Sequence, residues 1–483
     1  MAAGTLRGFD IASPFAAVRV PAMWVSEIKA GNLPKQTAAK PPQSFKDGVV
    51  QARVHHDRDR FIASIHDEDI CRLAASHHNG DTCTFFKPPI RGSYNICYFV
   101  QFPSASIEGD GDRWVVRVPL APCLAFGGKS KLESEVATMH QKLSCADVKK
   151  LSDEKRTCLY TSLAEIYMQL RRLEFPSIGC LRRGPDGFRV SKRIATIDLN
   201  MQELEGLAPS EIQDSYCGPG ETLTSANDYV AILLQIADNV FSRSRGTVSE
   251  KEEGEDHLYH LDMFRQHAER WVDHSFDRGP FVLVHGDLEI FNLLLGDDMN
   301  IVSVLDWEWS RVVPLQFFKP PLWLNATPIE DLSYGYRYRG YLECFDEFLA
   351  VLRIREREIY GRDLLADEWD KAKQKSGFMV ANALECWTAM DWFASRYLNL
   401  RLYGGKEDLP ERIRVFIQDD PARSALIKRK VLEWASYTAE LEHLDAPTNH
   451  SKDHDVAPDD KGLSSASASQ GFLASHPCRH LHA

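Results

Sequence analysis

Residues 281–310 read FVLVHGDLEIFNLLLGDDMNIVSVLDWEWS, and no other run limits the fold as strongly. The blocks FVLV, FNLLL and IVSVL are rich in branched and aromatic apolar residues, the composition of short buried strands. GDDMN between the last two blocks is turn chemistry, with Gly, Asp and Asn together. The spacing predicts an antiparallel hairpin with its turn near Asp298. Asn292 then lies about six residues before the turn and Asp306 about eight after it, so both fall at the open end. Asp287, in the loop just before Asn292, belongs to the same end. Taken singly, each is an ordinary turn residue beside a core strand. Taken together, a carboxamide and two carboxylates at one strand edge call for a cation. Oxygen ligands suit a hard divalent ion such as Mg2+.

The rest of the chain bounds what this hairpin can belong to. It has 483 residues, 44% of them hydrophobic and 26% charged, the values of an ordinary soluble globular protein. A net charge of -12 gives the whole molecule no electrostatic reason to seek nucleic acid or an anionic membrane. Eleven cysteines, an odd number with no Cys-x-x-Cys pair, argue against a disulfide framework and for a reducing, cytoplasmic setting. No apolar run reaches membrane-spanning length, and the start lacks the charged and apolar blocks of a signal peptide.

Periodicity divides the chain into four regions. Residues 1–60 read as an extended, disordered leader rich in Pro, Lys and Gln. Residues 61–145 read as a β-rich lobe: DEDICRLAA is a short helix, and GSYNICYFVQF with RWVVRVPL form a hairpin. Residues 146–445 read as a helical lobe. In it Leu159, Leu163, Ile166, Leu170 and Leu173 make one apolar stripe, and Ser225 with Asp228 begins a further helix. SRSRGTVSEKEEGED reads as a charged loop, and three long helical segments follow residue 330. The tail 446–483 is low-complexity and reads as disordered. The predicted class is α+β, a small β-rich lobe before a larger helical one.

His285-Gly286-Asp287, Asn292 five residues later, and Val304-Leu305-Asp306-Trp307 resemble the catalytic loop and metal hairpin of the aminoglycoside phosphotransferase and choline kinase-like family. That family is a branch of the protein-kinase-like, two-lobed fold, and the resemblance is to its fungal-type members. It implies ATP and Mg2+ as cofactors and a small-molecule hydroxyl as acceptor. Asp287 would be the catalytic base, Asn292 and Asp306 would hold Mg2+, and His285 would brace the loop. RGSYNICYFVQF resembles the family's nucleotide loop, which places Gly92 and Ser93 at the phosphates. Arg117 stands where the family commonly has Lys. Glu135, eighteen residues after Arg117, would be its helix partner, with Glu133 as competitor. Trp307, Glu308, Trp309 and Trp323 are candidates for the acceptor wall.

One departure stands out. After the Glu135 helix only HQKLSCADVKKLSDEKR precedes the next helix, too little for two strands and a hinge. The adenine platform is therefore expected to be missing and ATP binding to be weak. A catalytically impaired, pseudokinase-like binding protein is the alternative. A metal-dependent hydrolase would need further histidines near His285, and the sequence supplies none. Two decoys carry less. Gly-Lys-Ser at 128–130 has Cys123 where a P-loop needs glycine, and His476, Cys478, His480 and His482 are a tail cluster.

Overall fold

The computed structural model describes residues 47–103, 112–125, 148–184, 187–190, 193–218, 221–404 and 407–445, with the backbone of strand β1 (Ala16–Val20). Glu133, Glu135, the Gly-Lys-Ser run and the tail from 446 lie outside the described residues.

Asp47 opens helix α1 (Gly48–Ala63) by accepting from the amides of Val49 and Val50. Residues 48–60 are therefore helical, where the sequence predicts extended leader. Only Val50 and Val54 of this helix are buried, and the polar run HHDRDR hides so narrow an apolar face. Helix α2 (Asp67–His77) follows, with Asp67, Glu68 and Asp69 at the positive end of its dipole.

Strands β2 (Thr84–Arg91), β3 (Asn95–Gln101) and β4 (Arg113–Pro119) form an antiparallel sheet. The strand order is β1-β4-β3-β2. Cys97 faces Arg117 across β3 and β4, as the predicted hairpin requires. Ile96, Tyr98, Val100, Val116 and Val118 form a core with Val54, Ile70 and Ala74 of the two helices.

A second, larger core is mostly helical. Helix α3 (Asp153–Arg171) buries Leu159, Leu163, Tyr167 and Leu170. Leu173 of the expected stripe is 46% exposed because the helix has ended before it. Short strands β5 (Glu174–Phe175), β6 (Leu181–Gly184) and β7 (Gly187–Val190) lead to helices α4 (Ile197–Leu204), α5 (Pro209–Tyr216) and α6 (Ala226–Arg243). Ser225 caps α6 by accepting from the Asp228 amide. The charged segment 242–256, expected as a loop, is non-helical only over 244–250: α6 ends and α7 (Lys251–Trp271) starts inside it. Glu252 and Glu253 favour the helix start, and Glu253 accepts from the Ser249 amide and hydroxyl.

Strand β8 (Phe281–Val284) pairs with β5 on one side and β11 (Arg311–Pro314) on the other. Strands β9 (Leu293–Leu295) and β10 (Ile301–Val304) form the predicted hairpin, with Leu293 opposite Val304. Helices α8 (Gly335–Tyr360), α9 (Leu365–Gln374), α10 (Gly377–Glu385) and α11 (Trp387–Trp392) come next. A π-helical turn (Phe393–Leu398) leads on to α12 (Asn399–Tyr403), α13 (Leu409–Asp419) and α14 (Pro421–Asp445). The middle of the three long helical segments is thus divided, at Ser376 (φ 53°) and again at Cys386. The architecture is mixed, with small sheets and mostly helical content, as the α+β reading expects at that level. Among the described residues, no helix is long and apolar enough to cross a membrane.

Candidate active site

β8 is buried along Phe281, Val282 and Leu283 and delivers His285 to the end of its sheet. His285 is 2% exposed. Its Nε2 lies 2.7 Å from the Leu305 carbonyl oxygen, and its Nδ1 lies 3.3 Å from the Asp287 amide. A carbonyl only accepts and an amide N–H only donates, so these contacts define a neutral imidazole protonated on Nε2. Burial brings the imidazole down to about 4 against the pull of the Leu305 carbonyl. His285 is thus a neutral imidazole that joins the loop to the hairpin.

Gly286 has φ +86°, and a Cβ there would lie 2.1 Å from the Trp309 carbonyl oxygen. Only glycine lets the chain pass so close to the start of β11. Asp287 follows. Its backbone carbonyl accepts from Asn292 Nδ2 at 2.7 Å, and its Oδ2 lies 3.3 Å from the same nitrogen. Trp323 anchors the loop beyond, donating from its indole to the Leu288 carbonyl at 2.8 Å. Asn292 ends a single 3-10 turn and is 5% exposed. Its carbonyl accepts from the Leu305 amide at 2.8 Å, extending the hairpin ladder up to Asp306. Asn292 therefore lies one residue from Asp306 across the hairpin. Asp306 takes a left-handed conformation (φ 59°, ψ 52°) that turns the chain out of β10.

Arg117 comes from the other core. Its Nη2 donates to Asp306 Oδ1 at 2.9 Å and lies 3.8 Å from Glu308 Oε2. With its amide oxygen turned toward the guanidinium, Asn95 accepts from Arg117 at 2.6 and 3.2 Å. Gly92 and Ser93 form the turn just ahead, closed by the Gly92 amide on the Asn95 carbonyl. The residues expected at nucleotide phosphates therefore stand beside Arg117, with Asn95 between them. Tyr94 packs edge-on to Trp309 at 5.5 Å, and burial, reinforced by Glu308, raises its phenol far above the usual range.

The expected acceptor wall is placed differently. Trp307 lies against His285, with ring centroids 4.6 Å apart, and donates to the Val304 carbonyl. Glu308 turns toward Arg117 with its side chain 5% exposed, and Trp309 packs under Tyr94. The left-handed turn at Asp306 sends Glu308 and Trp309 toward the first sheet, while Trp307 stays against His285. None lines the cavity of about 210 Å³ that opens beside Asp287. Of the four candidates only Trp323 lines it, together with Phe317, Trp392, Asp198, Glu289 and Glu330, among others.

Beneath it lies an ion network absent from the sequence reading. Glu385 accepts from Arg311 and from Lys319, the latter at 2.6 Å. Burial raises the Glu385 carboxyl, but the two cations overcome that and hold it down to about 2. Arg311 and Lys319 are thereby engaged by Glu385, and the described wall residues also include the acids Asp198, Glu289 and Glu330. Asn95 could have been found from strand register, since it lies diagonally from Arg117. Nothing local in the sequence marks Tyr94, Arg311, Lys319 or Glu385.

The donor set fits a hard divalent cation. Asn292 spends its amide hydrogens on Asp287, which leaves its carbonyl oxygen as the ligand atom, and Asp306 adds a carboxylate. Asp306 and Glu308 already draw in one cationic group, Arg117.

No protein-family model matches the chain, and no curated protein matches it. Among solved structures it is similar to a macrolide 2'-phosphotransferase type I. The match has 14% identity and a TM-score of 0.26, over 70% of this chain and 98% of that one.

Proposed function

We propose that the chain is a kinase-like phosphotransferase that moves the ATP γ-phosphate onto a hydroxyl of a small molecule. The observation that carries this reading is the double position of Asp287. It lines the cavity, and its carboxylate is hydrogen-bonded to Asn292, which the hairpin joins to Asp306 and so to Arg117. A base between an acceptor-sized cavity and an oxygen-rich, cation-seeking cluster is what in-line phosphate transfer uses.

In this reading the β-rich and helical parts act as two lobes. Asp287 orients the acceptor hydroxyl and takes its proton as the oxygen attacks the γ-phosphorus and ADP departs. Asn292 and Asp306 would hold Mg2+, which would neutralise phosphate charge. Arg117, Gly92 and Ser93 position the phosphates. The acidic, aromatic wall favours a cationic or polyhydroxylated acceptor. Asp198, Glu289 and Glu330 supply the acid, Trp323 and Trp392 the aromatic faces.

The Arg117–Asp306 pair favours a second reading, a pseudokinase-like protein that binds without turnover, because the guanidinium occupies the carboxylate intended for metal. One experiment separates the two. ADP release is measured with Mg-ATP and a panel of small hydroxyl compounds, alongside thermal shift. Transfer is expected to stop in Asp287→Asn, and the Mg-ATP shift to vanish in Asp306→Ala. A shift without ADP release supports the binding protein. ADP release unchanged in Asp287→Asn overturns the phosphotransferase.

A further inference from the structure

A second group of ligand-type side chains lies between α7 and α11, away from Asp287. Asp256, His257 and His260 are one turn apart on α7, and Asp391 faces them from α11. One ligand atom each from Asp256, His260 and Asp391 lie within 4.8 Å of one another. His257 Nε2 is 3.6 Å from Asp391 Oδ2.

His260 is 1% exposed. Its Nδ1 lies 2.9 Å from the Asp256 backbone carbonyl and 3.2 Å from the Asp256 carboxylate. Both are acceptors, so Nδ1 carries the proton and Nε2 presents a lone pair. An imidazole held by a carbonyl in this way is oriented as metal-binding histidines are. Among the described residues, the buried Nε2 has no hydrogen-bond partner, and neither has Oδ1 of Asp391. Two buried acceptors in one cluster need a shared electropositive partner.

We infer that Asp256, His257, His260 and Asp391 form a site for a divalent transition-metal ion, with Zn2+ the best match. Two imidazoles select against Mg2+ and Ca2+, and two carboxylates select against a soft Cu(I) site. Zinc bonds of about 2.0–2.1 Å require side-chain rotations that draw the cluster together. The ion would fasten α7 to the chain just ahead of Trp392, a wall residue of the cavity beside Asp287. The site stands independently of the phosphotransferase reading.

The test uses the full chain, stripped with chelator and titrated with ZnCl2 by calorimetry and with Co2+ by visible absorption. Asp306→Asn serves as the background, so that ions held at the catalytic hairpin do not count. One equivalent of Zn2+ is expected, with a rise in Tm and a Co2+ spectrum showing nitrogen ligation. Asp391→Asn and His260→Gln are each expected to weaken binding at least tenfold. His257→Gln is the safer variant, because this side chain is 30% exposed and its replacement spares the core. Two results overturn the site: no Zn2+ uptake on the Asp306→Asn background, or uptake at unchanged affinity in both Asp391→Asn and His257→Gln. The second would assign the ion to other groups, such as the His476–His482 tail.

Discussion

Arg117 donates to the Asp306 carboxylate at 2.9 Å, joining a strand of the first core to the hairpin of the second. The same carboxylate is the proposed metal ligand, so guanidinium and metal compete for it. Arg117→Ala is therefore expected to tighten Mn2+ or Mg2+ binding in the absence of nucleotide. The same variant is expected to weaken Mg-ATP binding, since it removes a phosphate contact. Calorimetry with metal alone and then with Mg-ATP reads both. Parallel losses in the two titrations would sink the competition.

Gly286 has no room for a side chain, with the Trp309 carbonyl 2.1 Å from where a Cβ would be. Gly286→Ala combines this overlap with a positive φ, which alone costs about 1 kcal/mol or more. A loss above about 2 kcal/mol is expected in urea unfolding. Near-neutral stability would show that the loop can move away from β11.

Burial disfavours the charged form of His285 and pushes its imidazole down to about 4, against 6.5 for the free side chain. The unfolded chain therefore takes up a proton first as pH falls. Stability from this group is complete above about pH 6.5, declines toward pH 4 and then levels, by up to about 3 kcal/mol. His285→Gln can still donate to the Leu305 carbonyl but does not titrate. Its stability profile should lack that decline, and denaturation curves across the window check it. An unchanged slope in the variant would place the titration elsewhere.

Glu385 answers two cations at once, and its side chain is 9% exposed against 6% for Arg311. Glu385→Ala leaves Arg311 buried without its carboxylate. Breaking such a pair from one side costs about 3–5 kcal/mol. Glu385→Gln keeps the shape but not the charge and should cost less. The depressed carboxyl adds its own signature. Stability from Glu385 is present above its free pKa of 4.5 and lost as pH falls toward about 2. Thermal denaturation of both variants at neutral pH gives the comparison, and equal stability to the parent would remove the network from the fold's support.

The hairpin, the grouping of Asn292 with Asp306 and the Ser225 cap were legible from residue order. Strand alternation, turn chemistry and capping act within a few residues, so their physics is written locally. Helix α1 escaped for the opposite reason, since two buried valines in a polar run make almost no periodic signal. The direction of Trp307, Glu308 and Trp309 was also hidden. It depends on one left-handed residue, Asp306, whose conformation the surrounding packing imposes. Arg117 meets Asp306 across 189 positions, and Arg311 meets Glu385 across 74. Which charges become partners over such distances depends on how the two cores and their helices pack. Residue order therefore named the acids and their spacing. The tertiary structure alone chose their cations, the walls of the cavity, and the meeting of His260 with Asp391.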